Sequence, residues 1–474
     1  MLEKIQHIVV LMLENRSFDH MLGLLYAETK NTSPSTGQPF EGLAGHETNP
    51  DASGRAVPVF PINPKQPYAY FMPGADPGEG YAAANDQLFG STTAPTPPAA
   101  TNSGFVTDFA YTLGWQQREG WKILPGTTAA SILGVFPPAM LPVLSGLARG
   151  YAVCDHWFAS VPTETMPNRA FACAATSQGR VDDKTHSFTV PSIFGQLSKS
   201  KVSWAVYGYD APPLTRQNFP DTVSAPDANF GLFTDFQKAA AAGKLAAFTF
   251  LEPSWSATGN SQHPNYDVAL GEQLIHDVYY AVRNGPGWNE TLLIVTYDEH
   301  GGCYDHVAPP TNAVPPDATP GENGFDFKRF GLRVPAVLVS PLIAAGTVFR
   351  VGGPVPLDHT SILKTVETRW KVHPLTARDA AAPDVGAVLT LAVPRTDDPL
   401  HGVVVPISGE SPFSKNEPPS HLEQIHAELV ARLPVPDHGG GPQQPMPTLK
   451  TSADAHRYII ERTAAWKAAK ARTR

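Results

Sequence analysis

The chain has 474 residues, 42% of them hydrophobic, which is enough for a large core and too much for wholesale disorder. Its formal net charge is −9, with no block of Lys or Arg before the last few residues. That excludes the basic stripe of a nucleic-acid binder and the polybasic patch of an anchor for anionic lipid. Charged residues make up only 17%, while 48 prolines and 39 glycines commit much of the chain to turns and loops. Cys154, Cys173 and Cys303 are too few and too far apart for a disulfide scaffold or a CxxC zinc or redox site. Length alone suggests about two to four domains.

In chain order, the first element is the apolar run Ile8–Leu13, which ends in Glu14-Asn15. It is too short for the apolar core of a signal peptide and no small-residue cleavage site follows it, so a cytoplasmic location is expected. No run reaches the roughly 18 apolar residues of a membrane span. Residues 31–104 are rich in Pro, Gly, Ser, Thr and Asn and read as a lid-like insertion. Next comes VPTETMPNR (Val161–Arg169), leading into the small apolar helical pattern AFACAATS. Phe248–Leu251, Thr291–Tyr297 and Ala336–Val339 are further unbroken apolar runs, ending in Glu252, in Asp298-Glu299 and in Ser340-Pro341. Runs without alternation predict strands buried on both faces, as in parallel sheets. Helical periodicity covers Asp267–Asn284 and Asp358–Trp370, the second with Asp358 as N-cap. Past Pro394 only helices are expected, at Ser420–Leu433 and Ala453–Ala469, around the Pro/Gly linker PVPDHGGGPQQPMP. The pattern predicts an α/β fold with a mostly parallel central sheet flanked by helices, a body over 1–395 and an extension over 396–474.

In open α/β sheets ligands bind beyond the carboxyl ends of the strands. Two predicted strands deliver Glu14-Asn15 and Asp298-Glu299 to that edge, where the carboxylates would repel one another unless a cation lay between them. Oxygen ligands of this kind suit a hard or borderline divalent ion. Thr165 falls at or just before a helix N-terminus, with Pro167 in the first turn; the free N–H groups there suit phosphate, and a metal-bound hydroxyl is a nucleophile. His263, His306 and His359 lie in predicted strand-end loops and are candidates for acid/base or phosphate contacts. His20 reads as structural.

The stretches LENRSFDHMLG, SVPTETMPNRAF, TYDEHGGCYDHVAPP, RVPAVLVSPLI and LDHTSILKTVE, taken together, resemble the phosphoesterase family of bacterial and plant non-specific phospholipases C and acid phosphatases, in the alkaline-phosphatase-like superfamily. The resemblance spans roughly residues 5 to 370. It implies an alkaline-phosphatase-like three-layer sandwich and one divalent metal ion, with Ca, Mg, Mn and Zn all open. By motif, Glu14, Asn15, Asp298 and Glu299 match the metal ligands. Thr165 matches the metal-bound nucleophile, and His263 the histidine of an HP…D segment that ends here at Asp267. The expected activity is phospholipase C cleavage of glycerophospholipids through a phosphothreonine. An acid phosphatase and a catalytically silent effector on the same scaffold are the alternatives. Expected partners are a phospholipid or phosphomonoester, with transient contact to a membrane surface. Two departures stand out: Asn260-Ser261-Gln262 replaces an acidic pair before the histidine, and Glu79 stands in DPGEGY where many relatives have a histidine.

Overall fold

The computed structural model describes residues 1–435 and 445–472. Its centre is an eight-stranded sheet: β1 (His7–Leu13), β2 (Ala152–Val153), β3 (Trp204–Gly208), β4 (Phe230–Leu232), β5 (Phe248–Glu252), β6 (Thr291–Tyr297), β7 (Ala336–Val339) and β8 (Thr347–Val348). The spatial order is β8-β2-β7-β6-β1-β5-β3-β4. Every pairing is parallel except those of β7, which runs antiparallel to both β6 and β2. This is a mixed α/β fold with a mostly parallel sheet. The sheet is mostly parallel as expected; which strand reverses was not readable, because an unbroken apolar run records burial on both faces and carries no direction.

All seven residues of β6 are buried, which requires cover on both faces. One helix group comprises Pro142–Gly150 and Val268–Arg283, which pack together and against strands; a second comprises Thr165–Ala174 and Thr360–Trp370. Helix 268–283 begins where expected, with Asp267 accepting a hydrogen bond from the Ala269 N–H at 2.9 Å. Helix 360–370 starts one residue after His359, and the Asp358 carboxylate accepts from the Thr360 N–H at 3.1 Å.

Residues 31–104 do not stand off as a flap. Phe40, Ile62, Phe71, Ala75 and Leu88 are buried against the body. The C-terminal helices His421–Ala431 and Ser452–Arg472 pack on each other, and Leu422, Ile425 and Leu429 bury themselves against Met166, Leu214 and Trp255. Most of the Pro/Gly linker lies outside the described residues. Among the described residues, no helix is long and apolar enough to cross a membrane.

Candidate active site at the strand ends

β1 and β6 are parallel neighbours in register, with Leu13 opposite Tyr297. The residues that follow them therefore leave the sheet side by side. Asn15 takes a left-handed backbone, φ 55°, and its N–H donates to Asp298 Oδ1 at 2.9 Å. Gly301, at φ 63°, packs so tightly here that a Cβ would lie 1.9 Å from the Asn15 carbonyl oxygen. No side chain fits, and the chain turns back after Asp298-Glu299 only because position 301 is glycine.

The nucleophile candidate arrives from the helix Thr165–Ala174. Thr165 is 1% exposed, and its hydroxyl donates to Asn15 Oδ1 at 3.1 Å. One turn on, Arg169 Nε donates to Asp298 Oδ2 at 2.8 Å, and its Nη2 donates to the carbonyls of Met12 and Leu13. This arginine, which the sequence reading missed, ties the nucleophile helix to both acidic strand ends. Arg16 does the same for the neighbouring loop, reaching the carbonyls of Gln262, His263 and Met72.

Carboxylates crowd the site. Burial, and then the nearby Asp298 charge, push Glu14 up to about 7 against the pull of His263. Burial also raises Asp298, and it lifts Glu299 well above the carboxylate range with help from Glu79 and Asp298. Glu14 Oε2 and Glu299 Oε1 are buried with no hydrogen-bond partner among the described residues. Orphaned carboxylate oxygens in an apolar setting are costly, and a cation is what relieves them. Glu14, Asn15, Asp298, Glu299 and the Thr165 hydroxyl thus fit a metal ion by chemistry. Their convergence runs through Asn15, which touches both Asp298 and Thr165. Two tighter groups of His, Asp and Glu atoms, each within 4.8 Å, occur among the described residues: Asp76/Glu79/His263 and Asp19/Asp305/His306.

The first of these belongs to the site. His263 Nε2 lies 3.4 Å from Glu79 Oε1, and Nδ1 lies 3.0 Å from the Pro264 carbonyl and 3.9 Å from Asp76 Oδ1. Burial would push this imidazole down, but Glu79 and Asp76 outweigh it and hold it well above its ordinary value. The acidic companion that Asn260-Ser261-Gln262 lacks is therefore supplied by the insertion. Gln262 itself turns away, accepting from the Tyr297 hydroxyl and donating to the Val268 carbonyl. Glu164 and Asp183 close the nucleophile side: the Asp183 N–H donates to Glu164 Oε2 and the Met166 N–H to Asp183 Oδ1, both at 2.6 Å.

Two residues expected as acid/base groups have other partners in the structure. His359 is fully buried, with Nε2 donating to the Asp298 carbonyl at 2.5 Å and Nδ1 accepting from Trp157 Nε1 at 3.4 Å. Burial drives it down to about 4, so it stays neutral and braces the Asp298 backbone. His306 belongs to a separate network, with Nδ1 2.6 Å from Asp19 Oδ2, while Arg333 pairs with both Asp19 and Asp305. His20, bonded to Arg16 at 2.9 Å, is structural as read.

A family model described as the phosphoesterase family matches residues 5–373. The chain belongs to that family. It is 34% identical over 455 residues to non-specific phospholipase C3 of Arabidopsis thaliana, covering 91% of this chain and 82% of that protein. Non-specific phospholipase C6 of the same plant is 36% identical over 84% of this chain and 74% of its own. Phospholipase C A of Mycobacterium tuberculosis is 26% identical over 83% and 78%. Among solved structures, a protein in the alkaline phosphatase superfamily from Vibrio parahaemolyticus is a loose likeness, with TM-score 0.31 and 13% identity over 69% of this chain and 82% of that one.

Proposed function

We propose that this member of the phosphoesterase family is a phospholipase C, hydrolysing glycerophospholipids to diacylglycerol and a phosphorylated headgroup. The observation that carries the reading is the buried Thr165 hydroxyl, aimed at Asn15 Oδ1 between two acidic strand ends, in a chain whose relatives named phospholipase C match it over most of their length. Glu14, Asn15, Asp298 and Glu299 would hold one divalent cation, which when bound would lower the pKa of the Thr165 hydroxyl and offset the negative charge of the phosphoryl oxygens.

Thr165, its hydroxyl proton released to solvent beforehand, attacks as the alkoxide: Oγ forms a bond to phosphorus as the bond from phosphorus to the diacylglycerol oxygen breaks, giving a phosphothreonine. His263, kept charged by Glu79 and Asp76, donates its Nε2 proton to the leaving alkoxide. Neutral His263 then takes a proton from water, which attacks phosphorus and frees Thr165 as the headgroup phosphate departs. Asn15 and Arg169 hold nucleophile and acidic edge in one geometry, which is where much of the acceleration of phosphoryl transfer lies.

Replacing Thr165 by Ala should cut turnover of phosphatidylcholine vesicles by at least about a thousandfold, with folding and metal uptake retained. Wild-type kinetics in that variant would sink the assignment. Running a soluble aryl phosphate in parallel separates diester from monoester preference: faster turnover of the monoester would favour the phosphatase reading.

A further inference from the structure

Several of the large apolar side chains most exposed to solvent fall in two segments. Tyr111 and Trp115 project from the helix Phe105–Glu119, 72% and 37% exposed, and Trp121 follows it at 53%. The Trp115 and Trp121 rings lie 5.1 Å apart. Three residues on, Leu124 lines a cleft of about 480 Å³ together with Tyr68 and Met72. Tyr68 also lines a second cleft of about 390 Å³, whose far wall carries Ile407, 91% exposed, with Val404 nearby at 81%. Lys122, next to Trp121, donates to the Pro412 carbonyl and to Glu417, tying together the two segments whose exposed apolar side chains and clefts make up this face. A face of this kind, rich in exposed Trp and Tyr, is uncommon on a protein that meets only water.

This face adjoins the site. Beneath it, Phe71, Leu124 and Phe413 form a small core on which Tyr266 packs, and the Tyr266 ring lies 4.8 Å from that of His263. Gln116, between the two tryptophans, donates to the carbonyl of Asp76, a neighbour of His263. Charges in the flanking segments come close to balance, Lys65, Arg118, Lys122 and Lys415 against Glu119, Glu410 and Glu417. Lys122 is already paired with Glu417 at 2.6 Å.

We propose that this face seats the protein on the surface of a zwitterionic phospholipid bilayer. Trp115, Trp121 and Tyr111 enter the headgroup layer, where amphipathic rings partition, while Ile407 and Val404 reach the acyl boundary. The near balance of charge around the patch and the net charge of −9 select a zwitterionic over an anionic surface. The proposal rests on the phospholipase reading and adds to it the direction from which substrate arrives.

The test is co-sedimentation with phosphatidylcholine vesicles, using the full chain, a Trp115→Ala/Trp121→Ala variant and a separate Ile407→Ser variant. Vesicle-bound protein and vesicle turnover should each fall at least about tenfold in the double variant and by a smaller factor in Ile407→Ser, with turnover of soluble p-nitrophenyl phosphorylcholine unchanged. Variants that sediment like the parent, or a parent that binds only when phosphatidylglycerol is added, would overturn the proposal. A parent that binds through these residues but hydrolyses neither substrate upholds the docking face and removes the activity. One that hydrolyses the soluble diester but ignores vesicles removes the docking face alone.

Discussion

Glu79 shows how one residue redistributes roles in a site. A carboxylate 3.4 Å from His263 Nε2 favours the imidazolium, which is the form the proposed reaction needs of it as an acid. Replacing Glu79 by Gln removes that charge and lowers the His263 pKa. The acid form is then lost sooner as pH rises, and the alkaline limb of the kcat/KM profile should move to lower pH. A profile that stays put would show that the pair is idle in turnover. The placement of Glu14, Asn15, Asp298, Glu299 and Thr165 at strand ends and a helix start was legible because strand-end acids and a helix-start Thr are local patterns. Asp76 and Glu79 were not, since their partner His263 lies more than 180 positions away and no periodicity records a contact of that separation. The surroundings of His306 and His359 were hidden for a related reason: a loop histidine looks the same in sequence whether its nitrogens face a cleft or bond to neighbouring groups.

At the level of elements, β1, β5 and β6 were readable from their unbroken apolar runs, and helix 268–283 from its periodicity and Asp cap. β2, β4 and β8, each two or three residues long, gave no pattern to read. The helix His421–Ala431 was read correctly but its role was not. It carries a buried His426 whose ring nitrogens have no hydrogen-bond partner among the described residues. Burial, aided by the nearby His456, holds His426 down to about 3. Its folded pKa lies below the unfolded value near 6.5, so the unfolded chain binds the proton first. Stability is full above that pH and falls as pH drops towards 3, with a limiting slope of about 1.4 kcal/mol per unit from this group. A His426→Leu variant should therefore lose less stability than the parent between neutral and mildly acid pH in denaturant titrations. Parallel losses in the two proteins would refute this.

Over the whole molecule, the site is a meeting of segments far apart in sequence, drawing on β1, the insertion, the helix 165–174, the loop before 268 and the end of β6. Mutual repulsion among its carboxylates works against the folded state, and a cation bound only by that state offsets it. Divalent ions should raise the melting temperature of the parent, and a Glu14→Gln variant should start higher without ions but respond less to them. Equal shifts in both proteins would place the ion elsewhere.

The packing of Leu422, Ile425 and Leu429 against Met166 and Trp255 has a consequence for the time course of synthesis. Thr165 emerges from the ribosome roughly 250 residues before the helix that completes its surroundings, an interval on the order of 10–50 s at about 5–20 residues per second. Until then, Met166, next to the proposed nucleophile Thr165, lacks part of its apolar cover, and the helix start it belongs to is free to fray. The nascent polypeptide should thus remain inert towards lipid through most of its translation, becoming active only once the C-terminal helix has docked.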